Sequence, residues 1–499
     1  VKIYDTTTLD LPTETEKLWV YNGLDCCITR EVFDVLESQF DNHTRSTYEF
    51  SKSLQAPILE MNMRGVLIDG VKKAELISIY SKEVDRLASQ LDRILDLGLG
   101  ASGLNWRSNQ QLIALFYGQL NIPPIKKRNS KGEQAPTVNR EALEKLRNYH
   151  YALPIVNHLL RMRDQAKRIG VLKTDIDADG RIRTSYNIAG TTTGRLSSSF
   201  SDFGTGTNLQ NIEQRLRRIF ISDPGYKFAN IDLKSGDSFG LGMILGTLFN
   251  DWRYLDACES GDIHTSVSRL AWKELAWTGN LAEDKNIAEH TIAYRDLSVR
   301  DMAKKLGHGT NYLGTPFTMA RHTHVERSVI EDFQTRRYFP AFPSIQLWHA
   351  HVRSQLQSQG YLVTLLGRKR WFFGRRNDDN VVREAVAYEP QSITSDIINR
   401  GMLEVWRSNL CQLLLQVHDS ILVQYREADE DAVLPRILKT IIQPITLPSG
   451  RVVTIPVDAK VGWNWANQSA DNPDGLITYK GTPDVRKRSP QTSILDQRF

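Results

Sequence analysis

The sequence predicts an α+β protein organised around an antiparallel sheet, and three observations carry that prediction. The stretch LLLQVHDSILV (413–423) has two aliphatic runs enclosing Gln416, His418, Asp419 and Ser420, the pattern of two buried strands meeting in a tight turn. The stretch FANIDL (228–233) is a second apolar strand run, ending in an acid, Asp232. Between and before them lie long segments of helical period. The clearest is 298–312, where Arg300, Lys304, His308 and Tyr312 recur every four residues and form one inclined stripe.

The two acids suggest the chemistry. A carboxylate at the end of a buried strand is costly unless something pairs with it. An ordinary hairpin with Asp in its turn would account for 413–423 taken alone. With Asp232 as a second acid of the same kind, the chain has what a two-metal phosphoryl-transfer site requires, because magnesium takes hard oxygen ligands and shares them with substrate phosphates. On the stripe, Arg300 and Lys304 can bind phosphate oxygens and His308 offers a planar face. A solvated charged face would explain the stripe in isolation.

Composition sets wide bounds. The chain has 499 residues, enough for a large core and several subdomains, and its 40% hydrophobic and 24% charged content is that of a globular protein. The net charge of +5 is mild but clustered: Arg161, Arg163, Lys167, Arg168 and Lys173; Arg215, Arg217 and Arg218; Arg368, Lys369, Arg370, Arg375 and Arg376. Three such clusters suit phosphate tracking. The four cysteines, Cys26, Cys27, Cys258 and Cys411, show no metal-ligand spacing, which favours a reducing compartment. No apolar run reaches the roughly 18 residues of a membrane span and no signal peptide is evident, so a cytoplasmic protein is expected.

Read in order, TGRLSS (193–198), NLQNI (208–212), IDL with Asp232, DIH (262–264), RDMAKKLGHGTNYLG (300–314), LLGRKR (365–370), Pro390–Gln391 and QVHDS (416–420) resemble the family A DNA polymerases, the group of bacterial DNA polymerase I and many phage replicative enzymes. The resemblance implies a right-hand polymerase with an antiparallel palm sheet, helical fingers and a helical thumb. Its reaction would be template-directed addition of deoxynucleotides to a primer 3′-hydroxyl, with pyrophosphate release and two Mg2+ ions. Asp232 and Asp419, with the Leu233 carbonyl, would hold metal, and Lys304 would act as the proton donor. Arg300, Lys304, His308, Tyr312, His264 and Asp237 would meet the incoming nucleotide, and Arg195, Asn208, Gln210, Arg383, Gln391 and His418 the primer-template. Primer-template DNA and deoxynucleoside triphosphates are the expected partners of a monomer in a bacterial or phage-infected cell, with any processivity factor left open.

The segments follow from the N-terminus. The first residue is Val rather than Met, and YNGLD (21–25) resembles the last motif of 3′-5′ exonucleases, with Tyr21 and Asp25 on one helical face. Residues 1–45 are therefore expected to be the tail of an exonuclease-like domain that does not proofread alone. Residues 46–190 are expected to form the thumb and the approach to the palm. A helix there stops at Gly65 before a short strand, a second helix covers 75–97, and a helical pair at 109–120 and 140–169 is interrupted by a mobile basic loop, KKRNSKGE (126–133). The palm is expected at 191–260 and 376–465, the fingers at 261–375, and a loosely packed polar, basic tail at 466–499.

Three departures stand out. Asp237 and Phe239 occupy places where the family usually has Glu and Arg, and His308 stands where better-known members have Phe or Tyr. The segment between His264 and Arg300 is longer than expected and carries Trp272, Trp277 and an acidic patch over 283–289. With His308, this long segment hints at a phage enzyme. Asp237 also leaves open a single-subunit RNA polymerase-like enzyme, and a catalytically inactive primer-template binder remains a third reading.

Overall fold

The structure is a computed structural model that describes residues 13–128 and 132–482. Its centre is a five-stranded antiparallel sheet in the order Gln412–Val417, Ser420–Arg426, Tyr226–Leu233, Val457–Gly462, Ile477–Thr478. Both faces are buried at the hairpin Gln412–Val417 and Ser420–Arg426, which is why these two strands read as nearly continuous apolar runs. Ala229, Ile231, Leu233, Ile421, Val423, Val457 and Ala459 join the main core, whereas Phe228, Leu414, Leu415 and Leu422 join a second core with Val66, Ile219, Phe220 and Trp465.

Two helices lie on the main-core side of the sheet. Gly236–Phe249 has an apolar sequence and packs closely on Asp379–Ser408: a Cβ added at Gly240 would lie 3.1 Å from the Pro390 carbonyl oxygen, and one at Gly236 2.6 Å from Thr394 Cγ2. On another side, a Cβ at Gly242 would lie 2.8 Å from the Leu255 Cα. Backbone cannot yield there as a side-chain tip can. Gly242→Ala is therefore expected to lower stability by a net ~1–2 kcal/mol in thermal unfolding, despite the better helix propensity of Ala.

Helices in the region 263–358 share the main core with the sheet, while a third core is built by the four helical segments between Gly70 and Leu172 together with Ile122, Val138 and Ala152 in the links between them. The opening helices of the 46–190 unit do not belong with that third core. Phe50, Leu54, Ile58 and Met61 are buried in the main core, because the apolar face of 50–61 meets the sheet and not the helical pair.

Several local expectations change. The helix expected at 140–169 is two, Arg140–Leu146 and Leu153–Leu172, the second opening with Pro154 in its first turn. The helix at 109–120 is α-helical over Asn109–Ile113 and widens to a π-helix over Ala114–Gln119. The basic loop is flanked by a hairpin, Lys126–Arg128 paired with Gln134–Pro136, and residues 129–131 lie outside the described residues. The expected tail is not loose up to 482: Ala466 and Leu476 are buried and Ile477–Thr478 forms the edge of the central sheet. Its remainder, 483–499, lies outside the described residues. Among the described residues no helix is long and apolar enough to cross a membrane.

Candidate active site

Strand register brings the acids together. Asp232 lies opposite Ser420 on one side and Asp458 on the other, and the Leu233 N–H donates to the Asp419 carbonyl at 3.0 Å. Asp419 sits in the turn joining the two hairpin strands, next to His418, whose φ is +54°. A non-glycine residue there carries a cost of about 1–2 kcal/mol, so the turn is held by its surroundings. The holding group is the buried Tyr186 hydroxyl, which donates to the Gln416 carbonyl at 2.8 Å and accepts from the Gln416 N–H at 3.0 Å. The Gln416 side chain in turn donates to the His418 carbonyl.

The Asp232 carboxyl reaches solvent but is crowded by chain. Partial burial, then Asp419 and Asp458, push its pKa up to about 6, with Lys460 opposing. Burial also raises Asp419, and Asp237 adds to it against the pull of Arg195. Arg195 Nη2 lies 3.3 Å from an Asp419 oxygen and 3.5 Å from Asp237, and its Nε is a buried donor with no partner among the described residues. Among the described residues no group of three or more His, Cys, Asp or Glu side chains is arranged to hold an ion alone. Two crowded carboxylates with raised pKa values nonetheless favour a cation, and the Leu233 carbonyl and substrate phosphates are the remaining oxygen donors to hand.

The cationic stripe runs along the helix Val299–Asn311, started by a capping box between Ser298 and Asp301. Met302, Ala303, Leu306 and Thr310 are buried, which turns Lys304 and His308 outward. Arg300 is held by Asp262 at 2.9 Å and more loosely by Glu289 at 3.8 Å. Asp262 also caps the helix Ile263–Ala271. Against the effect of burial, the Thr265 N–H and Arg300 keep its carboxyl below the usual range. His264, on the same helix, is pushed down to about 4 by burial and by the Arg300 charge, and is neutral at pH 7.

Tyr312 joins the acidic and cationic groups. Its ring lies 4.8 Å from that of His308 and its hydroxyl donates to Asp237 at 3.3 Å. The structure therefore brings Asp232, Asp419, Asp237, Arg195, Tyr312 and His308 into one connected site, with Lys304, Arg300 and His264 along its helical wall. Gln210 touches this site through Gln416 at 3.1 Å. Asn208 has a bracing part, its amide bonded in both directions to Ser198 at 2.7 Å. Among the described residues Arg383 bonds its helix neighbour Asn380, two turns before Gln391 on the same helix. Tyr21 and Asp25 lie on Glu14–Glu37, a helix with no buried residue, and touch none of the site.

Sequence reasoning missed Asp458 and Tyr186. Asp458 could have been found as a third acid in an apolar strand run (VTIPVDAKV); it pairs with Lys234 at 3.0 Å beside Asp232. Tyr186 carried no local signal. The charge clusters are also more internally committed than expected: Arg168 pairs with Glu213, Arg218 with Asp471, Arg368 with the buried Asp396, Lys369 with Asp41 and Arg370 with Glu384.

DNA polymerase I of Chloroflexus aurantiacus is 28% identical over 484 residues, covering 90% of this chain and 46% of the relative. The thermostable DNA polymerase I of Thermus aquaticus is 26% identical over 443 residues, covering 84% of this chain and 48% of its own. The chain thus spans about half the length of the curated relatives it matches. The POL domain of Pol1 from M. smegmatis, solved in complex with DNA primer-template and dNTP, superposes with a TM-score of 0.65 at 22% identity, covering 83% of this chain and 69% of that one, and so shares the right-hand polymerase fold. With the DNA polymerase family A profile matching residues 74–467, a span that contains every element of the connected site, the chain belongs to DNA polymerase family A.

Proposed function

We propose that this chain is a DNA-directed DNA polymerase that extends a primer 3′-hydroxyl with deoxynucleotides and releases pyrophosphate, in the replication machinery of a bacterial or phage-infected cell. The observation that carries the reading is the bond from Tyr312 to Asp237, which ties the nucleotide-facing helix, through Arg195, to the strand-end acid Asp419. In this reading the helices around 263–358 are the fingers, the segments between Gly70 and Leu172 the thumb, and the central sheet the palm.

Arg300 and Lys304 bind the triphosphate as fixed positive charges, and Lys304 Nζ gives its proton to the leaving pyrophosphate oxygen. Asp237, held by Tyr312, lies under the nucleotide sugar. Arg195, released from Asp419 and Asp237, turns to the minor groove at the primer terminus, where acceptors are alike for all correct pairs. Asp232, Asp419 and the Leu233 carbonyl would hold two magnesium ions, which supply charge that acidifies the primer hydroxyl and offsets the leaving group.

The test is primer extension on a DNA template with magnesium, comparing deoxynucleotides with ribonucleotides. Addition of deoxynucleotides supports the reading. Preference for ribonucleotides would move it to the RNA polymerase-like enzyme, and binding without extension would leave only a primer-template binder.

A further inference from the structure

The last of the basic clusters contains cations and aromatics that the active site does not use. The strand Lys369–Trp371 pairs with Tyr361–Val363, and the two residue sets on its faces behave differently. On the inner face, Arg370 pairs with Glu384 and Phe372 is buried. On the outer face, Trp371 is 49% exposed and Phe373, just past the strand, is 95% exposed. Lys369 lies over the Tyr361 and Trp371 rings at 4.3 and 5.0 Å, which are themselves 4.7 Å apart. That stack holds Trp371 in place without covering it.

The residues that follow are cationic and open. Arg375 is exposed and makes no ion pair among the described residues, and Arg376 is exposed with a single bond to the Gln357 carbonyl. The nearby acids are largely committed elsewhere: Asp378 caps the next helix by accepting from the Asn380 and Val381 N–H groups, and Asp379 faces Arg353 at 3.8 Å. A Cβ added at Gly374 would lie 2.6 Å from Val381 Cγ2, so this loop rests on the first turn of the helix that carries Arg383 and Gln391.

An apolar partner would leave Arg375 and Arg376 unpaired, and a duplex offers no free base faces to exposed rings. Unpaired bases with a phosphate backbone satisfy both features: rings stack on any base, and cations follow the phosphates. We propose that Trp371, Phe373, Arg375 and Arg376 form a docking surface for single-stranded nucleic acid, used by the unpaired template ahead of the active site. The choice of the template as occupant rests on the polymerase reading above.

The experiment measures affinity of the full chain for labelled primer-templates whose template overhang is a single nucleotide or about 12 nucleotides. Phe373→Ala, at an almost fully exposed position, is expected to weaken the long-overhang complex about five-fold or more and leave the short one unchanged; adding Trp371→Ala deepens that loss. Arg375→Ala with Arg376→Ala should reduce the salt slope of long-overhang binding by about 1.4. Equal losses on both substrates, or no loss on either, would overturn the proposal while sparing the polymerase reading. Failure of the unaltered chain to bind either substrate would overturn both.

Discussion

Asp232→Asn is expected to stabilise the metal-free chain while lowering nucleotide incorporation by at least about 100-fold. The two effects have one origin. Folding places the Asp232 carboxyl in a recess beside Asp419 and Asp458 and raises its pKa from 3.8 to about 6. An acid raised in this way favours the native state fully only below pH 3.8, and that advantage is lost as pH rises through 6. The substitution should therefore change little near pH 3.5 and stabilise above pH 6, by on the order of 1 kcal/mol after allowance for the solvent that reaches the carboxyl. Chemical unfolding in chelator at both pH values, beside a single-nucleotide incorporation assay, checks the pair. A variant no more stable at pH 7 than the parent would mean that the acids are not held against their own repulsion.

Lys304→Ala is expected to lower kcat by about 10²–10⁴-fold, because it removes both a triphosphate contact and the proton donor to pyrophosphate. Lys304→Arg separates those two roles. Arg keeps the charge and the phosphate contact but cannot release a proton, so its KM should stay near that of the parent while kcat stays low. Steady-state kinetics with varied nucleotide give this split. Recovery of kcat by Lys304→Arg would reduce Lys304 to a charge.

Much of this arrangement was legible in the sequence because it is local. Apolar runs ending in Asp232 and Asp419 identify sheet strands and the acids at their ends, and four-residue spacing puts Arg300, Lys304, His308 and Tyr312 on one helix face. What was not legible depends on distant register and pairing. Asp458 meets Asp232 only because the strand from Val457 lies against the strand from Tyr226, and Tyr186 reaches Gln416 across 230 residues of chain. The basic clusters looked free because their acids are remote in sequence, as Asp41 is from Lys369 and Asp471 from Arg218. The tail looked polar, yet the buried Leu476 anchors one more strand, in which Ile477 pairs with Val461.

The central claim is that the strand-end acids act in catalysis and not in holding DNA. Its most direct test is single-turnover incorporation by Asp419→Asn on a primer-template, with affinity for that primer-template measured in parallel. The account predicts incorporation lowered by at least about 100-fold with affinity unchanged within about two-fold. Incorporation near the parental rate, or a loss of rate matched by an equal loss of DNA affinity, would contradict it.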